Sequence, residues 1–286
     1  MSRNADRVGA VEQPTDAPQS VKEEKKSIFS FPAPTELVKL PSKGLWYAEG
    51  HPLRGKETIE IHYMTTKHEE ILVNKSFIEE GVAVDRLLEA LIAEQNIKVE
   101  ELFTCDKNAL LIAARISGYG GDYEANVRCP DCGKSTKKQF NLRELKTKEV
   151  DVEFSENGTF EIPVHQNPLD PETPLLFVAE MRLMKGGDQR RVEKTAEKRA
   201  QRKLPPETIA SLMREIVVSI RDAQGNEGTV EELISDAPTV YVSYLREKYN
   251  ELSPNVDFDF VHECGNCGAI NMIRLPVGAN FFRLKQ

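Results

Sequence analysis

A chain of 286 residues, 40% hydrophobic and 29% charged, has the length for one large or two modest domains with a proper core. Its net charge of −8 argues against a whole-molecule attraction to nucleic acid or an anionic membrane. No apolar run reaches the length of about 20 residues that spans a bilayer, and the N-terminus lacks a secretory-type apolar core, so a soluble protein made in a reducing compartment is expected.

Met1 to Lys26 carries Pro14, Pro18 and many charges but almost no large apolar residues, so disorder is expected there. Ile28, Phe29 and Phe31 follow as a hydrophobic knot, read as a first strand, with a partner-docking peptide as the alternative. Leu40 to Gly55 reads as loop and holds the single Trp46; Thr58 to Tyr63 then alternates like a half-buried strand. Thr66 and Glu69 form a capping-box pair opening a short helix through Ile71 and Leu72. His62 and His68 stand beside carboxylates but lack convergent partners, and solvated polar faces explain both.

Val84 to Gln95 places Leu87, Leu88, Leu91 and Ile92 on one helical face. Asp106 precedes a second helix, Ala109 to Ile116, which Gly118 can close. Cys105 is read as a buried or helix-start thiol. Gly118 to Gly121 ends a helix rather than opening one, and no Gly-Lys-Ser/Thr follows, so it is no phosphate loop. Tyr123 to Val127 and Lys134 to Leu142 read as strands flanking Cys129-Pro130-Asp131-Cys132-Gly133. Val152 to Phe154 and Phe160 to Val164 read as a hairpin about Asn157-Gly158, and Leu175 to Leu183 as a further strand.

Lys185 to Lys203 holds eight basic and three acidic residues and reads as a helix. Arg190, Lys194, Lys198 and Arg202 form one row at spacing four, with Arg191 and Arg199 close to another. Like charges at that spacing destabilise an isolated helix by about 0.2–0.5 kcal/mol per pair, so these six residues are a candidate partner-binding surface for an acidic face. A solvated basic helix is the alternative. Pro205 and Pro206 then start a helix whose buried face runs from Ile209 through Ile216 and Val217 to Ile220. A turn at Ala223 to Asn226, a helix capped by Thr229 and Glu232, and a helix opened by Asp236 and Pro238 come next. Strands Val256 to Val261 and Ala269 to Val277 flank Cys264-Gly265-Asn266-Cys267-Gly268, and Phe281-Phe282 closes the chain.

The two knuckles hold four of the five cysteines. Two C-x-x-C pairs on strand-flanked turns are the pattern of a tetrahedral zinc site, with Cys129, Cys132, Cys264 and Cys267 as ligands to one zinc per chain. Redox chemistry needs a C-x-x-C at a helix start, and disulfides an oxidising compartment; both readings fit the context less well. Four thiolates leave no open coordination position, so the zinc is expected to be structural. It would close a loop of 131 residues, at a cost rising only about 0.6 kcal/mol per doubling of length. The expected fold is α+β, with mixed small sheets, amphipathic helices and a split zinc ribbon closed by the two C-x-x-C hairpins. Its expected segments are a disordered leader (1–27), an N-terminal α+β domain (28–122) and the first ribbon half (123–150). An insertion with the basic helix (151–255) and the second ribbon half (256–286) complete them. No H-E-x-x-H, G-x-S-x-G or phosphate loop occurs, and nothing argues for an enzyme.

Several stretches, in order, resemble the hub-subunit and hub-assembly family of T-even-type bacteriophage baseplates. They are Leu40-Pro41-Ser42-Lys43-Gly44 with Gly50-His51-Pro52-Leu53, and Met64 to Leu72. Asn108-Ala109-Leu110-Leu111, Gly118-Tyr119-Gly120 and Tyr123-Glu124 lead into the first knuckle, and Leu275-Pro276 with Phe281-Phe282 follows the second. The chain departs from the family at Arg283, where an aromatic residue is expected, and in its leader. The resemblance implies a non-enzymatic tail protein, located in the virion baseplate or in the host cytoplasm during assembly. Other baseplate or tail subunits would be its partners. The alternative is a zinc-ribbon nucleic-acid-binding protein using helix 185–203, which the negative net charge and the absence of aromatic residues among those cations disfavour. A zinc-dependent or redox enzyme is a third, disfavoured by a closed thiolate site.

Overall fold

In the computed structural model the described residues are 34–148, 150, 152–275 and 281–282. The expected leader and the Ile28, Phe29 and Phe31 knot lie outside them. The chain from Ala33 onward forms a single compact unit. It opens on β1 (Thr35–Lys39), antiparallel to β2 (Thr58–His62), where alternation turns Val38, Ile59 and Ile61 inward. The loop between them turns at Gly44, which has φ +67°. A Cβ there would lie 2.4 Å from the carbonyl oxygens of Leu53 and Lys56, so this turn requires glycine.

Four helices follow: α1 (Thr66–Val73), α2 (Lys75–Glu79), α3 (Ala83–Leu91) and α4 (Thr104–Tyr119). The reciprocal cap of α1 is one residue earlier than expected, formed by Thr65 and His68, whose Nδ1 accepts from the Thr65 N–H at 3.0 Å. α3 stops at Leu91 because Ile92 turns extended and bridges to Ile61. In α4, Asp106 lies inside the first turn rather than before it, and Gly120, with φ +82°, ends the helix in place of Gly118. Gly118 is instead crowded by the Met64 side chain.

β3 (Asp122–Arg128) and β4 (Ser135–Asn141) form an antiparallel pair, followed by the short β5 (Thr147–Lys148). Val152 to Phe154 makes no strand. The Asn157-Gly158 turn closes, with Ser155 N–H donating to Thr159 O at 2.8 Å, but Phe154 packs its ring on Trp46 and Phe160 instead of entering a ladder. β6 (Thr159–His165), β7 (Leu175–Arg182), α5 (Gly186–Gln201) and α6 (Thr208–Ile216) come next. The expected helix to Ile220 breaks at Val217, where β8 (Val217–Asp222) begins and pairs with β7. Val217, Val218 and Ile220 are β-branched, and a ladder with β7 suits them better than a further helical turn.

With β9 (Glu227–Gly228) the sheet runs β6-β7-β8-β9, antiparallel and in chain order. α7 (Val230–Ser235) carries the expected Thr229–Glu232 capping box, and α8 (Thr239–Leu252) stacks Tyr249 on Phe160 at 5.9 Å. The expected strand 256–261 divides into β10 (Asn255–Val256), paired with β5, and β11 (Asp259–Glu263), which pairs with β12 (Ile270–Arg274). α4 runs through the core: Leu110 and Ala114 are wholly buried, and Arg115 donates to the carbonyls of Phe281, Gly120 and Asp122. That guanidinium ties the buried Phe281–Phe282 pair to the turn between α4 and β3.

Candidate functional site

The β3–β4 and β11–β12 hairpins each carry one C-x-x-C at the turn, and the two turns are built alike. The first Cys of each donates its N–H across the hairpin, Cys129 to Lys134 O and Cys264 to Ala269 O, both at 2.9 Å. The Gly after each second Cys donates back to the first, Gly133 to Cys129 O at 2.9 Å and Gly268 to Cys264 O at 2.8 Å. Both glycines have positive φ, 69° and 71°, which this tight return demands.

The knuckles meet. All four sulfurs lie within 4.8 Å of one another, with Cys129 Sγ 3.8 Å from Cys267 Sγ and Cys132 Sγ 3.7 Å from Cys264 Sγ. Those separations are too long for a disulfide. They match the roughly 3.8 Å edge of a tetrahedron with metal–sulfur bonds of about 2.3 Å. Cys129 and Cys264 are buried while Cys132 and Cys267 face outward. N–H groups of Cys267 and Asn266 hold the Cys264 thiol down to about 6, and that of Lys134 lowers Cys132. Against the lowering pull of the Ala269 N–H, desolvation and the neighbouring sulfurs push Cys267 up to about 12. Four thiols cannot all ionise side by side without a cation, and the donor set fits a thiophilic metal ion.

Cross-hairpin contacts hold the two turns together around the sulfurs. Lys134 Nζ donates to Asn266 Oδ1 at 2.6 Å, and Asn271 Nδ2 to Asp131 Oδ2 at 2.7 Å. Further down, Phe140 meets Phe260 edge-on at 4.6 Å, with Lys138 Nζ 4.8 Å above the Phe260 ring. Sequence reasoning singles out the four cysteines but not these supporting polar residues, whose types are common on any surface.

The basic segment is helical as expected, and its cations divide into two groups. Arg190 pairs with the buried Asp85 of α3, which also takes Lys107 Nζ at 2.7 Å, and lies 3.8 Å from Glu100. Arg191 bonds Asp188 and Glu215, and Arg199 bonds Glu207 at 2.9 Å and Pro205 O at 2.8 Å. These three arginines dock α5 onto α3 and α6. Lys194, Lys198 and Arg202 are exposed, and among the described residues they form no ion pair. They continue one row along the outer side of α5.

A buried polar centre that no motif announces lies under the Leu40 to Tyr47 loop. Asp106 accepts from Ser42 N–H at 2.9 Å, Ser42 Oγ at 2.5 Å and Tyr47 Oη at 2.8 Å, and Tyr47 Oη also accepts the Phe103 N–H at 3.2 Å. Burial raises both the Asp106 carboxyl and the Tyr47 hydroxyl above their ordinary values. Only the side-chain partnership across 64 residues makes this centre, so no local signal could have found it. Among the described residues no helix is long and apolar enough to cross a membrane. Residues 35–283 match the protein family described as T4 bacteriophage base plate protein. Comparison with curated proteins and with solved structures gives no match.

Proposed function

The chain belongs to the T4 bacteriophage base plate protein family, and on that premise we propose that it is a non-enzymatic component of the tail baseplate, a hub subunit or a factor that assembles the hub. The family match over 35–283 is the observation that carries this reading. The thiol cluster supports its structural side. It is the metal centre of a split zinc ribbon, in which one zinc is held by Cys129, Cys132, Cys264 and Cys267. Zinc suits four thiolates at tetrahedral spacing, and a closed set leaves no position for water or substrate. The ion binds the middle of the chain to its end and performs no chemistry.

Contacts with other baseplate or tail subunits then carry the function. The row Lys194, Lys198 and Arg202 is the part of the basic helix that presents unengaged charge, and it contacts an acidic face of a neighbouring subunit. Arg190, Arg191 and Arg199 hold that helix in place rather than reaching outward.

Mass spectrometry of purified virions beside unassembled tail intermediates tests the reading. Peptides of this chain in mature particles are expected of a subunit, and peptides in intermediates alone of an assembly factor. Absence from both would contradict the proposal.

A further inference from the structure

Among the described residues, β1 and β5 each leave one edge without a paired strand, and both strands line the same slot. In the β1–β2 pair, Leu40 N–H donates to Glu57 O and Tyr63 N–H to Pro34 O, which sets the phase of the ladder. Even-numbered residues of β1 therefore bond to β2, and Leu37 and Lys39 turn their N–H and C=O groups outward. In the β5–β10 pair, Asp257 N–H donates to Lys146 O, so Thr147 likewise faces away from β10. Among the described residues, the main chain of Leu37, Lys39 and Thr147 makes no hydrogen bond on these outer sides.

A slot of about 250 Å³ is lined by Leu37 of β1, Thr147 of β5 and Ile112, Ala113 and Ile116 of α4. Glu36 also lines it, and its Oε1 is buried with no hydrogen-bond partner among the described residues. Arg143 and Lys146 line the slot as well. Leu37 is 71% exposed, so among the described residues little packs on its side chain. An unpaired edge is a template for another strand, and folded proteins that leave one open without bulges or proline invite pairing there.

We propose that this slot accepts an extended segment of a neighbouring baseplate chain, which pairs with β1 and β5 to complete a continuous five-stranded sheet, β2-β1-guest-β5-β10, over α4. The guest is apolar at the positions above Ile112 and Ile116. Opposite Glu36 it carries a neutral donor, a hydroxyl or amide side chain, because Arg143 and Lys146 disfavour an added cation. The source of the guest rests on the baseplate reading; the slot itself rests on the edge geometry.

The test compares full-length wild type with Leu37→Pro and Leu37→Thr in cells infected by phage lacking their own copy of this gene. Chain bound to mature particles and to unassembled tail intermediates is then quantified. Proline on an outward-facing edge position costs β1 no bond to β2 but removes the donor and blocks the approach. Leu37→Thr keeps the donor. Incorporation should fall about tenfold or more for Leu37→Pro, the effect of losing one or two main-chain hydrogen bonds, and stay near wild type for Leu37→Thr. In wild type, amide exchange at Leu37 and Lys39 should slow by about tenfold or more on incorporation, a readout that does not depend on how the proline variant folds. Wild type missing from both mature particles and unassembled tail intermediates overturns the baseplate reading and with it the source of the guest. Wild type present, with Leu37→Pro equally present or with both amides exchanging as fast as in the free chain, overturns the slot alone.

Discussion

Asp106 is the residue on which the N-terminal half turns. Its carboxylate takes three donors from Ser42 and Tyr47, and these hold the Leu40 to Tyr47 loop against α4. Asp106→Ala would leave those buried donors without an acceptor and should cost about 3 kcal/mol in denaturant unfolding. A loss under about 1 kcal/mol would mean that water replaces the carboxylate at no penalty. Asp188 acts at the start of α5. Burial works to raise its carboxyl, but Arg182, the Lys185 N–H and Arg191 outweigh that and hold it below its ordinary 3.8. A depressed acid contributes stability that is fully present above 3.8 and lost as pH falls through the lower folded value. Asp188→Asn should therefore cost about 2 kcal/mol at neutral pH, with the gap to wild type closing below about pH 4. A gap that stays constant down to about pH 3 would assign the loss to packing rather than charge. Neither residue could be picked out in advance. Asp106 looks like an ordinary helix-start acid until Ser42 and Tyr47 are placed beside it, whereas the four cysteines declare themselves by spacing alone.

At the scale of elements, three of the six candidate cations, Arg190, Arg191 and Arg199, hold α5, and Lys194, Lys198 and Arg202 are offered outward. Surface substitutions that break no internal bond usually shift stability by no more than about 0.5 kcal/mol. The triple variant Lys194→Glu, Lys198→Glu, Arg202→Glu should therefore melt close to wild type while losing co-purification with baseplate intermediates. Arg190→Ala should do the reverse at first, lowering the melting temperature because Asp85 is left buried with only Lys107 as its counter-charge. If the triple variant co-purifies undiminished, the row is a solvated face and nothing more. The same helix shows what periodicity reveals and what it conceals. Apolar spacing locates α3 and α4 but overruns the end of α3 by four residues and misses the first five of α4, while alternation locates β2, β3, β4 and β7. It misread Val217 to Ile220 as helix, since an apolar run of that length satisfies either period and only the edge of β7 decides. It misread Val152 to Phe154 as strand because Phe154 is apolar for the sake of Trp46 and Phe160, a contact no local pattern encodes.

Across the whole molecule, the C-terminal segment returns to the middle of the chain at several separate places. β10 pairs with β5, Asn108 Nδ2 donates to Asn255 Oδ1 at 3.0 Å, Arg115 holds the Phe281 carbonyl, and the second knuckle meets the first. The two cysteine knuckles and the Phe281–Phe282 pair are legible as marked residues; that Arg115 buries itself to secure that pair is not, because a helical arginine reads as solvated. With a metal bound, the sulfur cluster would be a covalent tie among these, joining two hairpins whose second cysteines are exposed. A cross-link of that kind is worth a few kcal/mol, so chelation should lower the melting temperature by roughly 10 °C and leave the β10–β5 and Arg115 contacts as the remaining closure. The most direct test is the metal content of the purified full-length chain by native mass spectrometry, set beside Cys129→Ser and Cys264→Ser. One zinc per wild-type chain, absent from both variants along with the higher melting temperature, is the predicted result. A metal-free wild type that folds and melts as the variants do would contradict it.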